Sequence, residues 1–433
     1  MRRAFGKEDL LRPLRAGLGR VVHGLALVAA VGVAVAEAAA NTGPQACFKP
    51  GAPIVEPYRW YPKLDLARIP FHTAEGAWGP RAAVVAPEPP VTRRTVRVTS
   101  ATQLAAEALV QGTTIVVDAE YIGPVVIYGD VIDVDLVVPP GRRIAQITVG
   151  RYTPRSTTQR FRLRGTTPGT HSGGLVGTVT FASNPTTDII IDGVDLNGDN
   201  GRGGNLLWYV SSPTDRVAIV NVRGHAVGQA VLLAPGVTNI VIAGNRLVSG
   251  ARSREANGYP EGWGIRGGDR IVVFDNRIDG NRYHKVRVEA REGPPQYAWV
   301  ADNVFVDPAE ARIFVAGGAQ EQAHRITAVW AICNRVYAHS TCMQTSFEAP
   351  LAAYAVLTSN TFFGSTTEAL QRSLQAAHGS RRDYLAGNTY SPWRRPPSWE
   401  APGDPTATVP LPPVMIVRDK VDPIAQNCKP PPS

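Results

Sequence analysis

The chain has 433 residues, with 42 glycines, 36 prolines, 7% aromatic residues and a formal net charge of +9. So much glycine and proline predicts many turns and short elements, and it excludes a fold of long helices. The length is enough for one large core or two modest domains. The positive charge favours an acidic partner. We expect no nucleic acid among the partners, because basic and aromatic residues do not cluster as they do in proteins that bind it.

Residues 1–40 have the features of a secretory signal peptide. Six basic residues lie in the first 20 positions, an apolar run of 12 residues follows at 25–36, and small residues at 36–40 offer cleavage sites. Cleavage would remove six basic and three acidic residues and lower the net charge to +6. We therefore expect a secreted, periplasmic or cell-surface protein. The apolar run is too short for a bilayer, so no membrane span is predicted.

The next segments predict an extension, a short helix and the first strands. Residues 41–95 are rich in proline and contain no repeat. Residues 100–112 form an amphipathic pattern in which Ser100 and Gln103 have capping-box spacing and Gly112 can end the helix. Residues 113–138 alternate as strands do. Asp130, Asp133 and Asp135 within them are interpreted as turn and strand-face positions.

A repeat of about 28 residues runs through the middle of the chain. Each unit carries an asparagine with an apolar or aromatic residue two positions later, at Asn245, Asn276, Asn303, Asn334, Asn360 and Asn388. Val194 and Val222 take the asparagine position in two earlier units. Such a repeat of short strands predicts a solenoid. Asparagine accepts the left-handed backbone of a sharp turn, and stacked asparagines can hydrogen-bond in a ladder.

The repeat resembles the right-handed parallel β-helix proteins, the pectate-lyase-like superfamily, over residues 96–390. The resemblance implies an all-β right-handed parallel β-helix solenoid whose N-terminal end is closed by a short capping helix at 100–112. Residues 41–95 would be an N-terminal extension. Residues 391–433 contain 12 prolines and would be a Pro-rich C-terminal tail that wraps the outside or stays extended. We expect a monomer.

A second strand is predicted in each coil, at 206–210, 230–233, 263–267, 284–290, 311–317, 342–347 and 369–374. In 284–290, Val286 and Val288 should point to the core, so Lys285, Arg287 and Glu289 share the outer face. Alignment of the apolar residues predicts Arg266 one coil before Arg287 and Phe314 one coil after it. Trp208 is predicted on the same face, where its ring can stack on a sugar.

This face is the candidate catalytic site. A polysaccharide lyase needs a cation on the uronate carboxylate, a base for the C5 proton and a donor for the leaving oxygen, and in β-helix lyases outward lysines and arginines do this work. The resemblance implies Lys285 as base and Arg287 with Arg266 on the carboxylate. Tyr283 or His284 would donate the proton. Glu289 and Trp208 would contact the substrate. The alternative is a solvated strand face with ion pairs of little consequence.

Two further segments carry candidate chemistry. Asp195 and Asp199, in an Asp/Asn/Gly-rich stretch, offer oxygen ligands for calcium, which many β-helix lyases use to bridge substrate carboxylates. Ordinary turn residues are the alternative. His225 resembles the Gly-His-Gly segment of polygalacturonase-like hydrolases, although Ala226 replaces the second glycine. Asp192 and Asp195 would then be the paired aspartates that hydrolysis needs. A turn histidine with satisfied hydrogen bonds is the alternative.

Four cysteines allow three pairings. Cys333 and Cys342 are close enough in sequence to form a local loop, and a bridge between Cys47 and Cys428 would connect the two ends of the mature chain. An oxidising compartment favours both bridges, and buried free thiols are the alternative.

The sequence thus predicts an exported protein that binds an acidic polysaccharide, with β-elimination as the leading mechanism. A non-catalytic surface or matrix protein that uses the solenoid as a rigid rod is one alternative. A polygalacturonase-like glycoside hydrolase is another. A cleft walled by residues 251–262 and 291–297 would favour an enzyme, and a flat face would favour the rod.

Overall fold

The fold was derived from a computed structural model. The residues that it describes are 84–150, 156–183, 185–197, 207–209, 214–226, 231–233, 237–249, 263–266, 269–279, 286–289, 297–306, 314–316, 326–338, 347–348, 352–358, 360–364, 382–386 and 389–392. The predicted signal peptide, most of the N-terminal extension and nearly all of the C-terminal tail lie outside these residues.

The first of two sheets, sheet A, contains twelve strands, each parallel to the next. In pairing order they are β1 (Arg94–Val98), β2 (Thr113–Val117), β4 (Val131–Val137), β6 (Thr158–Arg164), β8 (Thr186–Asp192), β11 (Thr214–Val220), β14 (Val237–Ala243), β17 (Asp269–Phe274), β20 (Tyr297–Ala301), β23 (Ile326–Ile332), β26 (Ala352–Thr358) and β28 (Arg382–Ala386).

The second sheet, sheet B, begins with β3 (Tyr121–Ile127), β5 (Arg143–Val149) and β7 (Leu175–Phe181), and then divides into two parallel ladders. Ladder 1 contains β9 (Asp195–Asn197), β12 (Arg223–Ala226), β15 (Arg246–Ser249), β18 (Arg277–Asp279), β21 (Val304–Val306), β24 (Arg335–Ala338), β27 (Thr361–Gly364) and β29 (Thr389–Pro392). Ladder 2 contains β10 (Leu207–Tyr209), β13 (Val231–Leu233), β16 (Trp263–Arg266), β19 (Val286–Glu289), β22 (Phe314–Ala316) and β25 (Phe347–Glu348).

These two all-parallel sheets confirm the predicted all-β parallel β-helix solenoid. Buried valine, leucine, isoleucine and phenylalanine side chains from both sheets form one core cluster that extends from Val98 to Val336. Period-two alternation turns every second residue of a strand toward this core. Within the described part of the chain, no helix is long and apolar enough to cross a membrane.

The division of sheet B starts at β7. Leu175 of β7 pairs with Asp195 of β9, whereas Phe181 of β7 pairs with Tyr209 of β10. One long strand in the early coils is therefore replaced, from β9 onward, by two short strands. The sequence predicted ladder 2 and missed ladder 1 as a separate element, because each asparagine segment combines a sheet A strand, a turn and a ladder 1 strand.

The predicted capping helix is α1 (Ala101–Ala108), and its Leu104 and Ala108 belong to the core cluster at the N-terminal end. The Ser100 hydroxyl accepts a hydrogen bond from the Gln103 N–H at 3.3 Å, as the N-cap position predicts. The helix ends before Gly112, which instead adopts φ +74° in the turn that leads into β2. Leu104 and Ala108 cover apolar surface that the first coil would otherwise expose.

The predicted asparagine ladder is present at the corner between sheet A and ladder 1. Oδ1 of each of four asparagines accepts from the side-chain amide of the previous one at 2.9–3.0 Å, along the series Asn245, Asn276, Asn303, Asn334 and Asn360. All five are at most 1% exposed. Each side-chain amide also donates to a sheet A carbonyl, so the buried polar groups of this corner are satisfied.

The left-handed backbone at this corner falls one residue earlier than predicted. The residue with positive φ is the one before each asparagine or its valine equivalent, namely Gly193, Asn221, Gly244, Asp275, Asp302 and Cys333. The asparagine itself aims its amide inward. The sharp reversal therefore falls on the preceding residue, which is glycine, aspartate or asparagine in five of the six cases.

A second ladder, on the outer side of sheet A, was not predicted. Six residues with positive φ occupy equivalent positions in consecutive strands, and we call them the acid–arginine ladder: Asp133, Arg160, Asp188, Arg216, Asn239 and Arg270. Arg160 donates to both carboxylate oxygens of Asp133 at 2.5 and 2.8 Å, and Arg216 makes the same pair of bonds to Asp188. Arg160 holds the pKa of Asp133 down at about 2.

Residues 84–92 run along this ladder as a strap. The backbone N–H groups of Val85, Glu88 and Val91 donate to Asn239, Asp188 and Asp133 at 3.0, 2.9 and 3.0 Å. These acceptors lie in every second strand of sheet A. Three residues of a polyproline II chain extend about 9.3 Å, and two coils extend about 9.6 Å along the solenoid axis. The spacing of the donors on the strap therefore matches the spacing of the acceptors on sheet A. Part of the extension is thus bound to the solenoid.

Candidate functional site

The predicted catalytic face is the outer side of ladder 2. Val286 is fully buried in the core, so positions 287 and 289 alternate with it as predicted. Trp208, Leu232, Gly264 and Arg287 pair in sequence across four consecutive strands, which places them in one column. The prediction that Trp208 shares a face with Arg287 therefore agrees with the backbone register, three coils apart.

The register differs from the predicted alignment at two positions. Gly264, not Arg266, pairs with Arg287, and Arg266 pairs with Glu289 in the next outward column. Phe314 pairs with the buried Val286, while Val315 lies beside Arg287. Arg266 and Arg287 thus share a face and are offset by two residues. The sequence alignment failed because strand length and insertions vary from coil to coil.

Much of this site lies outside the described residues. Lys285, Tyr283 and His284 are among those positions, as are residues 251–262 and 291–296 of the predicted walls. For Trp208, Arg266, Arg287 and Glu289 the backbone is described and the side chains are not. The catalytic roles assigned to all of these residues stay predictions.

A second polar cluster surrounds the turn between β8 and β9. His171 Nε2 lies 2.8 Å from Asp195 Oδ1, and the His171 side chain is 16% exposed. The Ser172 N–H donates to the Gly193 carbonyl at 3.2 Å, which holds the 165–174 loop against this turn. Asp195 is thus engaged by a histidine that the sequence did not indicate, because 24 residues separate them.

Asp192 is a buried member of the same cluster. It is 1% exposed and accepts hydrogen bonds from the Gly169 N–H at 2.8 Å and the Asn221 amide at 3.2 Å. Burial raises the pKa of Asp192 to about 6, against the opposing effect of these bonds. A carboxyl this deeply buried does not reach a bound sugar, so it does not fit the predicted hydrolase pair with Asp195. His225 is in register with Asn197, on the strand next to Asp195.

The raised pKa of Asp192 predicts a pH-dependent stability. The folded value, about 6, lies above the ordinary value of 3.8, so stability is full below the ordinary value and falls as pH rises toward 6. We expect the free energy of unfolding to fall by about 2 kcal/mol between about pH 4.5 and pH 7. Urea unfolding across this range measures it. Asp192→Asn should flatten the slope, and an unchanged slope would contradict the assignment.

Asp195 and Asp199 are the predicted calcium ligands. Among the described residues, no group of three acidic, histidine or cysteine side chains is placed to hold a metal ion. Asp195 is hydrogen-bonded to His171, and Asp199 lies outside the described residues.

Cys333 is buried at the turn before Asn334, while Cys342, Cys47 and Cys428 lie outside the described residues. Both disulfides therefore stay predictions.

Asp135 proved to be a structural residue. Its carboxylate is 3% exposed and accepts bonds at 2.8–3.1 Å from Arg162 and Arg164. Burial alone would raise the pKa of Asp135, but the two guanidinium groups hold it below its usual value. These arginines lie 27 and 29 residues away in sequence, so no local pattern indicated the pairs.

Ladder 1 carries an unpredicted array of cations. The residue after each asparagine-ladder position is arginine in three consecutive strands, and we call Arg223, Arg246 and Arg277 the arginine column. All three are partly exposed. In the sequence these arginines follow the repeat position as Val-Arg, Asn-Arg and Asn-Arg. That they form one column is evident only from the register of the strands.

Comparison with protein-family models and with curated proteins gives no relative. No protein-family model matches the chain, and no curated protein is significantly similar to it. The fold alone therefore classifies the chain, as a parallel β-helix solenoid.

Proposed function

We propose that this is an exported β-helix protein of the pectate-lyase-like type that binds an acidic polysaccharide on the outer side of ladder 2. The observation that carries the proposal is the shared column of Trp208, Gly264 and Arg287, with Arg266 and Glu289 in the next column. Aromatic and arginine residues along the outer side of one ladder suit a chain of sugars with carboxylates. The features of residues 1–40 support export.

The proposed reaction on this face is β-elimination. Arg287 and Arg266 neutralise the uronate carboxylate, which acidifies the C5–H bond. Lys285 removes the C5 proton, the electron pair forms the C4–C5 double bond, and the C4–O bond breaks. Tyr283 or His284 protonates the departing oxygen. A calcium ion held by Asp195 and Asp199 is a separate hypothesis.

A lyase produces an unsaturated uronate that absorbs in the ultraviolet. We expect the absorbance to rise when the protein is incubated with at least one of pectate, alginate and chondroitin, with or without calcium. Arg287→Ala should lower the rate about a hundredfold, since it removes transition-state charge stabilisation. No increase with any polymer of a broad uronate panel would exclude the lyase.

Stability measurements separate a catalytic defect from a folding defect. Lys285→Ala and Arg287→Ala should each change the free energy of unfolding by less than about 0.5 kcal/mol if they are exposed charges. A large loss of stability would identify them as structural. Binding without cleavage would favour the non-catalytic rod, and reducing ends without new absorbance would favour the hydrolase.

A further inference from the structure

The outer side of sheet A carries an apolar face. In the consecutive strands β8, β11, β14, β17 and β20, the residues that alternate with the core side chains point outward. Nine of them are apolar and pair in register in two columns. We call them the outer apolar face: Ile190, Ala218, Val220, Val241, Ala243, Val272, Phe274, Trp299 and Ala301. None of the nine belongs to the core cluster.

The side chains of the outer apolar face are buried although they point away from the core. Each of the nine is at most 3% exposed. The rings of Phe274 and Trp299 stack on each other, with centroids 5.9 Å apart and an interplanar angle of 22°. An apolar sheet face is shielded from water only when another layer packs on it. The outer apolar face therefore lies beneath a covering layer.

The strap and the 165–174 loop provide the described part of this cover. The strap lies along one margin, where the Val85 N–H reaches Asn239 on β14. The loop bonds to Asp192 on β8, through the Gly169 N–H. Phe274 and Trp299 lie on β17 and β20, one and two coils beyond the first contact of the strap. A further segment is therefore needed to cover them.

We infer that residues 44–83 of the N-terminal extension cover the outer apolar face, and that the strap holds the C-terminal end of this segment in place. Val84, which follows residue 83, is 8% exposed, and its neighbour Val85 is bonded to Asn239. The segment therefore ends beside the middle of sheet A. From β14 to β20 is about 9.6 Å along the solenoid axis, a distance that about three extended residues span.

The composition of the segment suits this role. Residues 44–83 contain six aromatic residues among 40, about twice the frequency in the whole chain, whereas residues 393–433 contain two among 41. Aromatic side chains bury large apolar areas when they pack on such a face. The seven prolines of residues 44–83 favour an extended chain that contacts the sheet through its side chains. The cover would close the outer side of sheet A to ligands, and the inference does not depend on the proposed function.

Trypsin cleavage of the full chain tests the inference. The segment contains four trypsin sites, and mass spectrometry identifies the cut at each: Arg59, Lys63, Arg68 and Arg81. In the wild type these sites should be cut slowly, because a bound segment must first detach. Val272→Asp places a charge in the outer apolar face and should raise the rate of cutting at these sites about tenfold.

Val126→Asp is the matched control. Val126 points outward between two core residues of β3, on sheet B, and is partly exposed. The same exchange at this position should leave the cutting of the segment unchanged. The double variant Trp60→Ser and Tyr61→Ser alters the segment alone, so it should reproduce the effect of Val272→Asp. It keeps the test valid if circular dichroism shows that Val272→Asp does not fold.

Three outcomes would overturn the inference. The first is rapid cutting of residues 44–83 in the wild type. The second is that Val272→Asp accelerates cutting only at Arg394, Arg418 or Lys420, because the C-terminal tail would then be the cover. The third is a wild-type dimer that Val272→Asp dissociates without faster cutting of residues 44–83, because a second copy of the chain would then cover the face.

Discussion

Asn303→Ala should lower the free energy of unfolding by about 4 kcal/mol, since several buried groups lose their partners at once. Asn303 Oδ1 accepts from the backbone N–H and the side-chain amide of Asn276, at 2.9 and 3.0 Å. Its amide donates to the Val273 carbonyl and to Asn334 Oδ1, at 2.9 and 3.0 Å. No water reaches these groups, because Asn303 is 0% exposed.

Urea unfolding followed by circular dichroism measures this effect. Asn221→Ala is the matched control, because Asn221 is partly exposed at the same corner three coils earlier and its amide donates at 3.2 Å to Asp192. This substitution should lower the free energy of unfolding by about 1 kcal/mol, because it removes one hydrogen bond and places alanine in a left-handed backbone conformation. Equal losses in the two variants would show that the ladder contributes no more than an ordinary turn.

Asp188→Asn should cost about 3 kcal/mol, because it breaks a buried ion pair while it keeps the shape of the side chain. Asp188 is 0% exposed and holds Arg216 through bonds of 2.5 and 2.8 Å. Its Oδ1 also accepts from the Glu88 N–H of the strap. Asparagine tolerates the left-handed backbone at this position, where φ is 59°. The loss of stability therefore measures the removal of the charge and not strain in the turn.

Two measurements test this result. Amide hydrogen exchange at Glu88 should become faster in Asp188→Asn, because the acceptor of the Glu88 N–H loses its negative charge and the hydrogen bond becomes weaker. Asp118→Asn is the control: Asp118 is 39% exposed, with arginines 3.5 Å away, so its loss should change stability by less than about 0.5 kcal/mol. Unchanged exchange at Glu88 would mean that the strap is held elsewhere.

The general fold could be predicted because it repeats. The sequence contains six asparagines at nearly constant spacing, and apolar residues flank each of them. This pattern predicts the length of a coil, the position of its corner and the stacking of one coil on the next. The position of the left-handed turn residue could not be predicted, since Asp275 and Asn276 are equally suited to it by type. The division of sheet B was missed because each ladder 1 strand follows a sheet A strand after a short turn, as Arg277–Asp279 follows β17, so one asparagine segment contains both strands.

The charged contacts depend on register, which local sequence does not show. Asp133, Asp135 and Asp188 look like ordinary turn or strand-face residues, and their arginines lie 27 to 29 residues further along the chain. The inward position of Val286 could be predicted because alternation along a strand is local. Arg266 was misaligned by two positions because its partner strand follows a connection of variable length.

In the N-terminal half of the solenoid, the hydrogen bonds between the strap and sheet A repeat every two coils. The donors of the strap at Val85, Glu88 and Val91 meet an acceptor only in alternate coils, and the coils between present the cations Arg160 and Arg216. Deleting one coil would place a guanidinium group opposite a backbone N–H. Deleting two coils together with three strap residues would restore every partner. Insertions or deletions that preserve the bonding of the strap should therefore comprise an even number of coils.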